Sequence, residues 1–353
     1  MNDLSRLFAP DEGRDALRKL AGLLIGLGLV MTFIRKADSS LGHAWGDWGL
    51  LIVLLIAFAF LYGVGLLGRL NTDGLRAWES VYLVFGVLVA PFVLLQFIEA
   101  INGTPGASLN VFWVFLLTAG LAAAATYLAG LRYGLLLASL AVIVSWSTLW
   151  NKILSDGIGA HLGTYRGLLV ILAALLLAVA FAVWRMDRQE GPARANDVVT
   201  GAALSALIAG SLSVSGVFGR SNPLLAVPSA ESSLFWEIVL LAFSLLAVGY
   251  GSRFAARGPA YVGGIGLIIF LLIAGADLNE TTPQGKIVGW PLVLVVVGAI
   301  AFAASLIPGV KIGSLGDERL GWGGGPGSPP PPPPPAGSPP APAPPAGSPP
   351  PAA

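Results

Sequence analysis

Residues 111–150 read VFWVFLLTAGLAAAATYLAGLRYGLLLASLAVIVSWSTLW, forty positions in which Arg132 is the sole charge. A helix crosses the hydrocarbon core of a bilayer, about 30 Å thick, with roughly 20 mainly apolar residues. The stretch is about twice that length, so it predicts two crossings, at 111–131 and 133–150, joined by a tight hairpin at Arg132.

The same template applied outward from this hairpin finds eight more segments, at 18–34, 48–68, 80–99, 165–184, 198–218, 235–250, 260–276 and 288–307. The predicted fold is therefore all-α: a polytopic transmembrane bundle of about ten helices, or nine if one of the short or interrupted segments fails to cross. Composition demands the same class. Hydrophobic residues make up 55% of the 353 positions and charged residues 11%, against about 25% charged in soluble domains. Water could not cover that much apolar side chain; lipid can.

Domain organisation follows from where this pattern starts and stops. Residues 1–17 mix basic and acidic side chains without a small-residue cleavage site, and read as a cytoplasmic segment ahead of a retained first helix. The helical domain occupies 18–310. From Gly321 to Ala353 there are 16 prolines among 33 residues, including an unbroken run from Pro329 to Pro335. Such a segment has no means of burying a core and is predicted to be disordered and prone to polyproline-II. Its PxxP spacings fit an aromatic-lined groove on a protein partner, while the plainer reading is a low-complexity spacer.

Orientation rests on the bias of Lys and Arg toward cytoplasmic loops. With the N-terminus inside, alternating loops place 14 basic residues inside and six outside, out of 20. This predicts a multi-pass plasma-membrane protein with both termini cytoplasmic. Trp48, Trp78, Trp113, Trp150, Trp184, Trp236 and Trp290 fall at or near segment ends, as anchoring rings do at headgroup level.

Chemistry inside the spans is sparse. Ionisable groups at bilayer depth are costly and usually functional, yet Glu79, Glu99, Arg132, Lys152, Asp277 and Lys286 all fall at segment ends. Glu237, about three residues into its segment, is the deepest carboxylate and reads as an end cap favoured by the helix dipole, with a buried ion site as the sharper alternative. Pro91 and Gln96 share the third segment. A mid-membrane proline frees a carbonyl, and broken helices mark many transporter sites. In the predicted outer loops His43 and Asp47, with Asp156 and His161, form a metal or catalytic cluster only if the two loops meet. Neither histidine has ligand spacing such as HExxH.

Ser139, Ser145, Ser147, Ser205 and Ser211, with GxxxG at Gly22–Gly26, read as helix-packing residues, within the chain or in a homo-oligomer. Cysteine is absent, which excludes disulfides and thiolate metal sites. No phosphate loop, nucleophile elbow or dinucleotide fingerprint occurs, and net charge is +1, so no cofactor and no nucleic-acid partner is expected. The expected partners are the lipid bilayer, a protein for the proline-rich tail, and further copies of the chain.

Three functions remain open on the sequence. The first is a non-catalytic membrane scaffold or assembly component. The second is a small secondary transporter of two five-helix halves, 18–150 and 165–307, which resembles the drug/metabolite transporters in layout alone. The third is a lipid-acting membrane enzyme using the His and Asp loops.

Overall fold

The computed structural model describes residues 12–36, 46–70, 77–154, 161–186, 190–212, 221–222, 227–228 and 234–276. His43, Asp156, the tenth predicted span and the proline-rich tail lie outside the described residues.

The described chain forms α1 (Glu12–Lys36), α2 (Asp47–Leu70), α3 (Ala77–Ala100), α4 (Ser108–Ala124), a π-helical turn (Ala125–Ala129), α5 (Gly134–Ile153), α6 (Leu162–Met186), α7 (Gly191–Ser211), α8 (Leu234–Arg253) and α9 (Arg257–Ala276). A two-residue antiparallel ladder between α7 and α8 pairs Ser221 with Pro228 and Asn222 with Val227. The protein is a polytopic helical bundle. Six helices among the described residues are long and apolar enough to cross a membrane: α2, α3, α4 with its π turn, α5, α6 and α8.

The forty-residue stretch does turn. At its middle the α4 ladder loosens into the π turn, and the chain reverses at Gly130, whose φ is 77°. That left-handed conformation suits a residue without Cβ. It lets the Gly130 N–H donate to Thr126 O at 2.9 Å and the Leu131 N–H to Ala125 O at 3.3 Å, so the carbonyls at the helix end are satisfied before α5 begins. Arg132 stands exposed at the tip.

Two helices organise the packing. α3 lies against α1, α2 and α4, and α7 against α5, α6, α8 and α9. Lipid is as apolar as leucine, so close fit rather than water exclusion holds such helices together. α1 seats Gly22 and Gly26 against the rings of Tyr82 and Phe85 on α3, which is the use that its GxxxG spacing serves. α7 is built for approach from several sides: Ala195, Gly201, Ala202, Ser205, Ala206 and Ala209 are all buried. Its Gly201 rests directly on the Ser139 side chain of α5. A helix surrounded by protein needs less hydropathy than one facing lipid, which explains why α7 is missing from the six strongly apolar helices.

One tryptophan departs from its expected role. Trp48, Trp113 and Trp184 are more than half exposed at helix ends, but Trp78 is 2% exposed, packed under the Arg18 guanidinium 5.2 Å away and edge-on to Tyr82. It is a packing residue between α1 and α3.

Candidate functional site

Contacts define two ends of the bundle. At the hairpin end the N-terminus of α7 meets three other helices. Arg194 lies over the Tyr127 ring, Tyr250 Oη donates to Asn196 Oδ1 at 2.8 Å, and Gly258 abuts Thr200. At the opposite end Asn151 Nδ2 donates to Ser108 Oγ at 3.2 Å, and Trp146 Nε1 donates to Leu168 O at 3.1 Å.

Pro91 and Gln96 sit on α3 toward the opposite end, and both are buried. α3 remains one continuous helix through Pro91. Gln96 is fully buried, and its Nε2 donates to the Asp47 carbonyl at 3.2 Å. That bond ties the C-terminal part of α3 to the first turn of α2. It also brings together Gln96 and Asp47, though through the Asp47 backbone; the Asp47 side chain is exposed.

His161 is half-buried just before α6, and its carbonyl accepts the Tyr165 N–H at 2.9 Å, opening that helix. Its expected companions His43 and Asp156 lie outside the described residues. Among the described residues no three His, Asp or Glu side chains converge on a point that could hold a metal ion.

Glu237 occupies the first turn of α8, where the helix dipole favours a carboxylate. It is also 5% exposed, covered by neighbouring side chains. Beside it the Trp236 ring carries the Arg166 guanidinium 5.3 Å from its centroid, and Arg166 is 2% exposed. Next to Arg166, Tyr165 Oη donates to Ser147 Oγ at 2.7 Å. Arg166 thus joins α6 to α8 through the Trp236 ring, Glu237 follows Trp236 on α8, and Tyr165 joins α6 to α5 through Ser147. Arg166, inside the predicted 165–184 span, was not singled out from the sequence. The available signal was the Tyr165–Arg166 pair opening one span and the Trp236–Glu237 pair opening another.

Two further buried carboxylates escaped the sequence reading. Glu79, fully buried on α3, was taken for a headgroup residue. Asp197 is partly buried on α7 at the hairpin end; the Arg132 guanidinium acts on it electrostatically, and among the described residues no hydrogen bond reaches its Oδ2.

The buried hydroxyls mostly close onto backbone. Ser205 Oγ donates to Leu169 O at 2.8 Å and Ser145 Oγ to Phe112 O at 3.0 Å, each between helices, while Ser139 and Ser244 bond within their own helices. An indentation between α7, α8 and α9 is lined by Ala203, Leu207, Leu240, Phe243, Ala247 and Val262, with Ser244 as its polar edge.

These features define an integral, multi-pass helical membrane protein. No protein-family model matches the chain, and no curated protein does. Among solved structures it is similar in fold to a chain of the MycP5-free ESX-5 inner membrane complex, State II. The TM-score is 0.56 at 14% identity, over 86% of this chain and 74% of that one.

Proposed function

We propose that the protein is a non-catalytic, multi-pass structural subunit of a membrane assembly. Both termini are cytoplasmic, and the proline-rich tail acts as a tether or docking segment. The observation that carries this reading is the fold likeness to a chain of an inner membrane complex, which extends over most of both chains. The interior is in keeping with it. Gln96, Ser145 and Ser205 spend their hydrogen bonds on neighbouring helices, the use expected of residues that hold a rigid bundle in register.

The test is to solubilise the protein gently from its own membrane at native expression and resolve it by native electrophoresis with cross-linking mass spectrometry. A discrete species well above the mass of one chain, with reproducible cross-links to the same partner or to a second copy, is expected. A lone chain in every mild detergent would refute the assignment. Solute flux in proteoliposomes, abolished by Gln96→Leu without loss of folding, would favour the transporter reading instead.

A further inference from the structure

Arginines and aromatic rings are distributed unequally between the two ends of the bundle. At the hairpin end, besides the buried Arg18–Trp78 pair, four guanidinium groups among the described residues lie over rings: Arg185 at 4.4 Å from the Phe181 centroid, Arg194 at 5.2 Å from Tyr127, Arg132 at 5.7 Å from Tyr133 and Arg253 at 6.0 Å from Phe254. All four rings are about half exposed. At the opposite end Arg166, itself buried, lies over the half-buried Trp236 ring.

Among the described residues the acidic groups at this end are engaged with Arg194 and Arg132. Glu190 is bound to Arg194, and Asp197 is drawn inward on α7. Arg185 and Arg253 remain exposed at the ends of α6 and α8. A guanidinium presents a planar fork of donors that matches a phosphate bidentately, and a ring beside it belongs at the level of the lipid glycerol. The rings also continue into apolar helix surface. Leu128 follows Tyr127, and Leu177 lies one turn from Phe181 on α6, both exposed. A ligand filling this surface needs an anionic head and an apolar chain together.

We propose that the hairpin end is a binding surface for anionic phospholipid, with Arg185 and Arg253 as its principal phosphate contacts and Phe181 and Phe254 as the rings that seat the glycerol region. Each surface arginine contributes about a fivefold gain in affinity for an anionic leaflet. The lipid would hold α6 and α8 at a fixed depth and so set the height of the α7 N-terminus between them.

The experiment uses the full-length chain in zwitterionic micelles, titrated with dioleoyl phosphatidylglycerol or dioleoyl phosphatidylcholine, with retained lipid counted by native mass spectrometry. Preferential retention of phosphatidylglycerol is expected, weakening as salt rises. Arg185→Gln combined with Arg253→Gln should weaken it by about 25-fold, from two fivefold contributions. The double Lys variant should keep most of it, and Lys152→Gln at the opposite end should leave it unchanged. Equal retention of the two lipids would overturn the proposal. So would a preference unaltered in the double Gln variant, or glycerol 3-phosphate competing as well as the intact lipid, which would mark a soluble-anion site. If the double Gln variant melts early in zwitterionic micelles, the salt dependence and the Lys152→Gln comparison decide the matter in the parent protein.

Discussion

A single methyl group placed at Gly263 tests how α8 and α9 are held together. A Cβ built there would lie 2.6 Å from the Ser244 carbonyl oxygen and 2.8 Å from the Val248 backbone nitrogen. Both belong to the α8 main chain, so no side-chain rotation relieves them. Restoring an ordinary contact of 3.4 Å requires the two helices to separate by roughly 0.8 Å along that line. Overpacking of this kind costs about 1–3 kcal/mol, against a gain of about 1 kcal/mol in helix propensity when glycine becomes alanine. The next residue supplies the control, because a Cβ at Gly264 meets nothing within 4 Å. Gly264→Ala should therefore equal or exceed the parent in stability, while Gly263→Ala should fall below Gly264→Ala by about 1–3 kcal/mol. Equilibrium unfolding with sodium dodecyl sulfate in mixed micelles, followed by far-UV circular dichroism, measures the difference. Equal midpoints for the two variants would refute the close α8–α9 contact.

Other variants probe the polar contacts. Ser205→Ala removes the hydroxyl that bonds Leu169 O on α6 and should cost about 0.6 kcal/mol, with about 1.7 kcal/mol as a ceiling, in the same unfolding assay. Arg166→Lys keeps the charge but loses the flat cation over Trp236; a loss of about 1 kcal/mol and a shift in tryptophan emission are expected, and an unchanged spectrum would contradict the stacking. Gln96→Leu should cost at least about 0.5 kcal/mol, because it removes the hydrogen bond from α3 to the Asp47 carbonyl of α2; no change in the same assay would contradict that bond. Orientation can be read cleanly, since the chain has no cysteine of its own. A single cysteine at Tyr133 should react with a membrane-impermeant thiol reagent only from the cytoplasmic side, and one at Thr104 only from outside.

How much of this was legible beforehand differs by level. Residues 111–150 foretold a hairpin because crossing length is a local quantity: twenty apolar residues make one span whatever surrounds them. The candidate site was far less legible. Asp47 and Gln96 were singled out for separate sites, yet one hydrogen bond joins them through a backbone carbonyl, which no side-chain pattern encodes. Arg166 and Glu237 are 71 positions apart in the numbering, and only Glu237 stood out in the sequence. Both are buried, Arg166 against the Trp236 ring that precedes Glu237, because α6 and α8 bring their N-terminal turns to the same end of the bundle.

Hydropathy along the chain, then, determined by itself that the protein is a polytopic helical membrane bundle. The tertiary structure alone decided which faces are wet by lipid and which by protein. Trp78 shows the distinction most plainly. Its position at a helix end predicts a headgroup anchor, but α1 covers it with Arg18 and turns it into core. A sequence fixes the distance of each residue from its helix ends, whereas burial depends on which neighbour approaches from the side, and in lipid that choice is made by close fit between helices rather than by hydrophobicity.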